Sequence, residues 1–568
     1  MGDPKQVYQN ITAKKQNTYD AIVVGSGISG GWAAKELCEK GLKTLVLERG
    51  RNVEHIKDYP TSIMHPWEFK HRLNVTQQQQ AENPVMSADA NEGNALFFVN
   101  DKDHPYIQEK PFTWTRGYQV GGRSLTWGRM CLRYSDLDFE ANAKDGIGID
   151  WPIRYKEIEP WYDYVETYIG VSGKEEGLSH LPDGKFLPPM EMNCIENHFS
   201  EKIRSHYKDR IVTIGRTANL TRGWNGRTAC QYRNLCSRGC PFGGYFSSNA
   251  STLPAAAATG NMTLLPDSIV VEVMYDEKSS KATGVKVMNA HTKEITEYYS
   301  RIIFLNASTI ATAAILLNST SNRFPNGFGN SSGQIGHNLM DHLGGTGAEA
   351  EFDGYNDKYY FGRRPTAIYI PRFRNISKDT AQKDYIRGFG LQGMGGRAGW
   401  KNQGAADGFG KDFKAKMLQP GPWQLWLGGW GEILPYFDNA ISLDNNQKDQ
   451  WGLPLVKINF QNQDNEEAMR KDIKSNIEEM LSVAGFKNIN SYSHNTQEKH
   501  EMGTARMGKD AKTSVLNGFN QMHDVKNIFI TDGSFMTSSG TVNPSLTYMA
   551  FTARACDFAV NEMKKGNL

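Results

Sequence analysis

A glycine-rich turn between two short apolar runs near the N-terminus constrains this fold more than any other feature. The stretch YDAIVVGSGISGGWAAKELCEKGLKTLVLERG has the pattern strand, glycine turn, helix and second strand. Residues 21–24 are continuously apolar, which is typical of a parallel strand covered on both faces, and residues 44–47 are expected to form the second buried strand. Helical spacing runs from Ser29 to Lys40 and stops at Gly41. The segment therefore predicts a βαβ unit.

The glycines of this turn have the spacing of a dinucleotide-binding site. Gly25, Gly27 and Gly30 follow the first strand and open the helix, where a pyrophosphate can approach the backbone and meet free N–H groups. Glu48 ends the second strand, in position to accept hydrogen bonds from the ribose hydroxyls of an adenosine. The strand, the helix and the acidic residue all occur at the expected positions. This favours a dinucleotide-binding site over an ordinary tight turn. The unit alone leaves NAD and FAD open.

The bulk properties of the chain exclude several classes of protein. Its 568 residues favour two closely associated domains. A net charge of +2 gives no sign of a polyanion-binding surface, so nucleic acid is not an expected partner. The N-terminus is polar and lacks the apolar stretch of a secretory signal, so unaided export is not expected. The longest apolar run, residues 302–317, is interrupted by polar side chains and predicts a buried strand and helix, not a membrane span.

The remainder of the chain predicts a second, mostly antiparallel region. Alternating runs at residues 269–274, 284–288 and 301–305 predict a β-meander that returns to a buried strand. Further alternating segments follow up to about residue 460, and then a helical pattern over 465–484. The fold class is therefore α/β plus α+β. A glycine-rich stretch at 395–410 is a candidate lid or partner loop.

Five ordered motifs resemble those of the glucose-methanol-choline (GMC) oxidoreductases, a family of FAD enzymes. Besides the Gly25 unit they are GGRSLTWGR, GQIGHNLMDH, HEMGTARMG and the C-terminal segment that begins KNIFITDGSF. The resemblance implies that Asp532 and Gly533 lie against the ribityl and phosphates of FAD. It also implies that the isoalloxazine ring is lined by Gly121, Gly122 and Ser124.

The same resemblance implies how the domains divide the chain. A Rossmann-like FAD-binding domain is expected to combine residues 18–60, 112–140, 245–345 and 496–568. A substrate-binding domain with a mostly antiparallel sheet is expected to combine residues 61–111, 141–244 and 346–495, with a cysteine loop at 226–244.

Alcohol oxidation by hydride transfer needs a base for the hydroxyl proton, and histidine has a suitable pKa. The resemblance places His500, as that base, and Asn543 opposite the flavin. From the residues themselves, Asn543 and Pro544 predict the N-cap and first turn of the last helix, whose positive end can stabilise negative charge on reduced flavin. For His342, a satisfied core or surface histidine is the better interpretation.

The position of a possible covalent flavin link distinguishes two branches of the family. Sugar-oxidising pyranose 2-oxidases carry a Thr-His-Trp sequence whose histidine is linked to FAD. Here residues 125–127 are Leu-Thr-Trp. We therefore expect noncovalent FAD, and membership of the oxidase branch is not supported.

Three cysteines, Cys230, Cys236 and Cys240, fall within eleven residues. The run is similar to that of FAD-dependent sugar dehydrogenases of the family, where three cysteines bind a three-iron cluster, and this implies a 3Fe-4S cluster here. Thiolates so close in sequence can converge on one soft metal site, whereas zinc would need a fourth ligand. Structural thiols, or one disulfide with a free thiol, remain alternatives.

Together these features predict an FAD-dependent dehydrogenase that oxidises a sugar or glycoside hydroxyl to a ketone, with carbon 3 of a glucoside as the favoured position. The similarity to glucoside 3-dehydrogenases implies a cytochrome acceptor and a small partner subunit that can carry an export signal. The protein would then be cytoplasmic, or periplasmic by co-export. The alternatives are a pyranose oxidase that uses oxygen, an FAD-containing enzyme like the hydroxynitrile lyases, and an assembly subunit without turnover.

Overall fold

The fold is built from two large sheets, each with its own helices. The structure, a computed structural model, describes residues 17–358, 365–398 and 408–568. The strands are β1 (Thr18–Val24), β2 (Thr44–Leu47), β3 (Ile107–Gln108), β4 (Thr213–Ile214), β5 (Met262–Leu265), β6 (Ser268–Asp276), β7 (Lys281–Asn289), β8 (Ile295–Leu305), β9 (His342–Phe352), β10 (Ile368–Ile370), β11 (Phe389–Arg397), β12 (Trp423–Glu432), β13 (Ala440–Lys448), β14 (Pro454–Asn459), β15 (Lys487–Gln497) and β16 (Ile528–Ile530).

The helices connect and cover these strands. They are α1 (Ile28–Glu39), α2 (Gln77–Glu82), α3 (Pro84–Asp89), α4 (Asp136–Phe139), α5 (Ala141–Asp145), α6 (Tyr155–Ile169), α7 (Cys194–His206), α8 (Thr252–Ala258), α9 (Thr309–Asn318), α10 (Gly410–Met417), α11 (Asp464–Val483) and α12 (Ser545–Lys564). In the described ranges, none of them has both the length and the hydropathy of a bilayer-spanning helix.

The first sheet has seven strands and contains the predicted βαβ unit. Strand β1 pairs in parallel with β2 and β8, while β16 joins β8 and β5 joins β2, also in parallel. Strands β6, β7 and β8 form an antiparallel meander, and the second half of β8 then becomes the buried parallel strand beside β1. The predicted meander and its return to a buried strand are confirmed.

The second sheet has six antiparallel strands in the order β15-β9-β12-β11-β10-β4. Helix α11 lies against it, and two glycines of β12 make this close contact possible. A Cβ atom on Gly429 would lie 2.4 Å from Ile473 of α11, and one on Gly431 would lie 2.6 Å from Met469. The predicted antiparallel region and its long helix are thus confirmed, and β13, β14 and β3 form a smaller third sheet.

The last helix differs from the sequence prediction at its start. We expected Asn543 to be the N-cap and Pro544 the first helical residue, but Pro544 is the N-cap residue and helix α12 begins at Ser545. The side chain of Asn543 does not cap the helix. It instead bonds to Gln392 of the second sheet, so a tertiary contact replaces the local one.

Two sequence predictions stay untested by the fold. The stretch proposed as a lid, residues 395–410, lies largely outside the described residues, since 399–407 are not described. The residue limits assigned to the two domains also remain predictions.

Candidate active site

One cavity of about 450 Å³ collects most of the residues singled out by the sequence. It lies at the carboxyl ends of the parallel strands of the first sheet, where α/β proteins bind their ligands. Gly30 and Gly121 do not line it, nor do the three cysteines. Its predicted lining residues are Gly25, Gly27, Glu48, Gly122, Ser124, His500, Asp532, Gly533, Asn543 and Pro544.

The three glycines of the N-terminal turn serve different purposes. Gly25 has a φ of +94°, and a Cβ on it would lie 2.3 Å from the carbonyl oxygen of Asn306. A Cβ on Gly30 would lie 1.9 Å from the carbonyl oxygen of Gly25, so this glycine lets helix α1 approach the turn. Around Gly27 no atom lies within 4 Å of a Cβ position. Gly27 therefore borders open space at the start of a helix that no side chain caps, as a pyrophosphate site requires.

Glu48 belongs to a small buried network that joins two of the predicted motifs. The hydroxyl of Ser26 donates to Glu48 Oε2 at 2.6 Å and accepts from the backbone N–H of Gly121 at 3.0 Å. The N–H of Gly50 donates to Glu48 Oε1 at 3.0 Å. Burial raises the pKa of Glu48 despite these donors. The network fixes the acid at the cavity wall and holds the Gly121 loop against the glycine turn.

Asp532 and Gly533 follow the last parallel strand, as predicted. Asp532 Oδ1 accepts from the N–H and hydroxyl of Ser534, and Oδ2 accepts from Thr312 at 2.5 Å. A Cβ on Gly533 would lie 2.3 Å from the carbonyl oxygen of Glu501. The turn therefore packs directly on the segment that carries His500.

Arg123 ties the predicted isoalloxazine loop to that same segment. Its guanidinium pairs with the Glu501 carboxylate at 3.1 Å and donates to the carbonyl oxygen of Lys499 at 2.7 Å. Residues Thr126 and Trp127, which follow in the loop, line the cavity. Arg123 thus links the loop that carries Thr126 and Trp127 to the segment that carries His500.

The candidate base His500 contacts a second histidine, His342, at the start of β9. Their Nδ1 atoms are 2.9 Å apart. His342 is fully buried, and its Nε2 lies 3.2 Å from the carbonyl oxygen of Ser539. Burial lowers the pKa of His342 to about 4 and lowers that of His500 well below 6.5. Both rings are therefore neutral at neutral pH.

This geometry determines which nitrogen of each ring carries the proton. A carbonyl oxygen only accepts, so the proton of neutral His342 is on Nε2, facing Ser539, and its Nδ1 is an acceptor. His500 must then donate from its own Nδ1. Its Nε2 is left unprotonated, and among the described residues no hydrogen bond to this atom is found while the ring lines the cavity. His500 thus presents a lone pair to whatever occupies the cavity.

Asp341 holds the two histidines in place. Its Oδ1 accepts from the backbone N–H of His342 at 2.6 Å and of His500 at 3.0 Å. Burial raises the pKa of Asp341 to about 8. The ligand atoms of these three residues lie within 4.8 Å of one another, close enough for a metal ion. Because the two Nδ1 atoms bond to each other, we interpret the group as a hydrogen-bond network.

Sequence reasoning underrated His342 and missed Gln392. His342 is indeed a buried histidine, but it lies in the GQIGHNLMDH motif and contacts the candidate base. Gln392 Nε2 donates to Asn543 Oδ1 at 2.8 Å, which leaves the Asn543 amide N–H groups available at the cavity. No local signal pointed to Gln392, since it lies 151 residues from Asn543.

The three cysteines lie outside the cavity but close to its wall. All three are half-buried free thiols. Among the described residues, their sulfurs do not form a group whose atoms all lie within 4.8 Å of one another, as a single bound metal ion would require. Burial raises the pKa of Cys230 to about 11. The short helix Cys236–Arg238 contacts the helix Gly122–Leu125 of the predicted isoalloxazine loop, and its Ser237 lines the cavity.

Comparison with known families agrees with this geometry. The GMC oxidoreductase descriptions match residues 19–344 for the N-terminal part and 435–552 for the C-terminal part. The chain belongs to the GMC oxidoreductase family. It is therefore an FAD-dependent oxidoreductase that acts on CH–OH groups of alcohols or sugars, as the sequence predicted.

Several GMC relatives align over nearly the whole chain. The 2-methyl-1,2-propanediol dehydrogenase of Mycolicibacterium austroafricanum is 28% identical over 95% of this chain and 94% of its own length. The fructose dehydrogenase large subunit of Gluconobacter japonicus is 25% identical over 96% and 98%. The gluconate 2-dehydrogenase flavoprotein of Pantoea cypripedii is 24% identical over 95% and 93%.

Solved GMC structures share the fold. Formate oxidase of Aspergillus oryzae superposes with a TM-score of 0.63 at 14% identity, over 97% of this chain and 99% of its own.

The cavity also fits FAD, the cofactor of the family. It offers open space at Gly27, an uncapped helix start and a buried carboxylate at Glu48.

Proposed function

We propose that this GMC oxidoreductase is a dehydrogenase that oxidises a ring hydroxyl of a sugar or glycoside to a ketone, with carbon 3 of a glucoside as the favoured position. The proposed removal of the hydroxyl proton rests on one observation, the unprotonated Nε2 of His500 at the cavity. The sugar assignment is supported by the similarity to the fructose dehydrogenase large subunit and the gluconate 2-dehydrogenase flavoprotein.

Each site residue has a defined task in this proposal. His500 Nε2 accepts the proton of the substrate hydroxyl, and its Nδ1 proton, bonded to His342, keeps the ring in the required orientation. The Asn543 amide, turned by its bond to Gln392, donates to the same substrate oxygen. The GMC cofactor FAD, when bound, supplies the hydride acceptor.

FAD would be held without a covalent bond. The residues proposed to hold its adenosine and phosphates are Gly25, Gly27, Glu48 and Asp532, with Gly122 and Ser124 along the ring system. Gly30 and Gly121 contribute through close packing, since a Cβ on either would overlap a neighbouring atom. At the position of the oxidases' linking histidine this chain has Thr126, which lines the cavity but cannot form that link.

Electrons would leave the site through the cysteine loop. Cys230, Cys236 and Cys240 would hold a 3Fe-4S cluster, which would supply a one-electron carrier. The contact between Cys236–Arg238 and Gly122–Leu125 supports this route, because Gly122 and Ser124 are the residues proposed to lie along the flavin ring system. A small subunit and a cytochrome are the proposed partners, and co-export with the small subunit would place the enzyme in the periplasm.

Anaerobic flavin bleaching tests the proposed function. Sugars and glycosides, including a glucoside and its 3-deoxy analogue, are mixed with the holoenzyme, and flavin absorbance is followed in a stopped-flow instrument. We expect the glucoside to bleach the flavin and the analogue not to. His500→Ala should slow bleaching by about 100-fold or more, the usual scale for losing a general base. The exposed His291 provides a matched control, since His291→Ala should have no effect.

The possible results distinguish the alternatives. Bleaching by the 3-deoxy analogue would contradict carbon 3 as the reacting position. Failure of every sugar and alcohol would favour an enzyme like the hydroxynitrile lyases, and peroxide release in air at the full turnover rate would favour an oxidase. An unchanged rate in His500→Ala would remove His500 as the base.

A further inference from the structure

The second sheet has one face packed on helix α11 and an opposite face that holds two tryptophans. On strand β12 the side chains of Leu425 and Leu427 are fully buried in the hydrophobic core on the α11 side. The alternate residues Trp426 and Trp430 are only half-buried, and within the described residues they are not part of that core. Because side chains alternate between the two faces of a strand, both tryptophans lie on the face away from α11.

The position of Gln392 shows that this face borders the active site. Gln392 of β11 donates to Asn543, which lines the cavity. It pairs with Gly428 of β12, and paired residues of antiparallel strands have their side chains on the same face. Gly428 lies midway between Trp426 and Trp430. The two tryptophans are therefore the diagonal neighbours of Gln392, at a backbone separation of about 7–8 Å.

The N–H groups of both tryptophans are already hydrogen-bonded. Trp426 Nε1 donates to the Tyr492 hydroxyl at 2.8 Å. The Trp430 side chain hydrogen-bonds to Glu498, a carboxyl that lines the cavity two residues before His500. The two indole rings are perpendicular, with their centroids 6.0 Å apart. Trp430 thus lies one contact from the cavity with Trp426 beside it, and both rings offer a ligand their apolar surface.

Two glycines of the sheet hold this aromatic group in place. A Cβ on Gly428 would lie 2.7 Å from the Trp426 ring and 3.4 Å from the Trp430 ring. Gly347 of β9 pairs with Gly428, and a Cβ on it would lie 2.5 Å from the Tyr492 hydroxyl. The aromatic side chains therefore lie close against the glycine backbone. Rings fixed in this way lose little freedom when a ligand packs on them, which favours binding.

We propose that Trp426, Trp430 and Tyr492 form a subsite for a second sugar ring, so that the preferred substrate is a glycoside with at least two rings. This inference rests on the proposed oxidation of a sugar hydroxyl. The reacting ring lies between His500 and Asn543, and the next ring packs on Trp426. A sugar ring has C–H groups on its faces and hydroxyls at its edge, so an indole ring can cover the apolar face while the hydroxyls stay in water.

Methyl glucosides and the matching disaccharides test the subsite by anaerobic stopped-flow bleaching of the holoenzyme flavin. The α pair is methyl α-glucoside and maltose, and the β pair is methyl β-glucoside and cellobiose. We expect at least one disaccharide to reach half-maximal bleaching at a concentration about tenfold or more below that of its methyl glucoside. The limiting rate should be similar within that pair, because the reacting ring is the same.

Variants of Trp426 test the aromatic contact. Trp426→Ala should raise the half-saturating concentration of the preferred disaccharide about tenfold, without changing the limiting rate or the value for the methyl glucoside. Trp426→Phe keeps a ring and should retain most of the affinity. If Trp426→Ala melts below wild type, Trp426→Leu, which fills the position without a ring, replaces it as the test.

Two further variants serve as controls. Tyr492→Phe removes the hydroxyl that accepts from Trp426 but keeps the ring, so it should have a smaller effect than Trp426→Ala. Tyr299 is an aromatic residue of the first sheet that is 39% exposed, and Tyr299→Ala should leave both half-saturating concentrations unchanged.

The results separate this proposal from the proposed function. Equal half-saturating concentrations within both pairs, or an equal effect of Trp426→Ala on disaccharide and methyl glucoside, would disprove the subsite even if sugars bleach the flavin. If no sugar bleaches the flavin, the proposed function is wrong, and calorimetric titration of the holoenzyme with maltose and cellobiose decides the subsite. Binding that is lost in Trp426→Ala would support it, and absence of binding to the wild type would overturn it.

Discussion

The Nδ1 atoms of His342 and His500 lie 2.9 Å apart, and this contact sets the proton position on the ring that faces the cavity. His342 can only accept in this pair, because its Nε2 donates to the carbonyl oxygen of Ser539. In the proposed mechanism, the fully buried His342 thus prepares His500 to act as the base. On this proposal, catalysis depends on a positioning residue, His342, as well as on His500, the residue that moves the proton.

The first prediction separates the tautomer effect from a packing effect. In His342→Gln the amide oxygen can accept from His500 Nδ1 and the amide nitrogen can donate to Ser539, so flavin reduction should stay near the wild-type rate. His342→Leu has neither group, His500 loses its fixed tautomer, and the rate should fall at least about tenfold. Stopped-flow flavin reduction provides the measurement, with FAD content and melting temperature as controls for folding. Equal rates in the two variants would contradict the tautomer role.

The second prediction concerns pH. Burial lowers the pKa of His500 well below the ordinary 6.5, so the base stays unprotonated as the pH falls through 6.5. The rate of flavin reduction should therefore remain constant down to pH values well below 6.5 and decline only in more acidic buffer. A fall in rate centred near pH 6.5 would show that the histidine is not held neutral in the holoenzyme.

The third prediction concerns the burial of His342 and its effect on stability. Below pH 6.5 an unfolded His342 binds a proton that the folded form, with a pKa of about 4, does not. The unfolded state then holds more protons, so the free energy of unfolding falls as the pH drops from 6.5 toward 4, by up to roughly 3 kcal/mol for this residue. Melting temperature against pH should show a shallower acid slope in His342→Gln than in wild type.

How much of this site could be predicted from sequence depends on the distance along the chain over which each interaction acts. The βαβ unit was predicted nearly to the residue because its apolar runs, glycines and helix lie within about thirty positions. The pairing of His342 with His500 spans 158 residues and has no local signature. Asn543 shows the converse: the local pattern predicted a helix cap, but a bond to Gln392, 151 residues away, took its side chain.

The fourth prediction contrasts two glycines of one turn. Gly30→Ala places a methyl group 1.9 Å from the Gly25 carbonyl oxygen, so the apoprotein should be destabilised and should bind FAD poorly. In Gly27→Ala nothing lies within 4 Å of the new methyl group, so the apoprotein should melt as wild type does. Its FAD affinity should nevertheless fall about tenfold or more, because the methyl group enters the space proposed for the pyrophosphate. FAD titration and melting of the apoproteins measure both effects.

The last prediction concerns the cysteine loop, which is proposed to hold a 3Fe-4S cluster. The three thiols are free and half-buried, their loop contacts the predicted isoalloxazine loop, and their sulfurs are spread more widely than one metal ion requires. A cluster spaces its ligands more widely than a single ion does, because each thiolate binds a different iron. Burial raises the pKa of Cys230 to about 11, so without a metal its thiol is protonated at neutral pH, and binding of iron must release that proton.

Anaerobically purified protein should therefore contain about three irons per FAD. Cys236→Ser should abolish reduction of a cytochrome while leaving flavin bleaching by substrate unchanged, because Cys236 does not line the cavity. The buried Cys38, far from the loop in sequence, is the matched control, and Cys38→Ser should keep both the iron and the cytochrome rate. If careful anaerobic preparations contain no iron and Cys236→Ser still reduces the cytochrome normally, the cysteines are structural. Electrons would then leave the flavin without a metal relay. The alternative function, an oxidase that passes electrons directly to oxygen, would then be favoured.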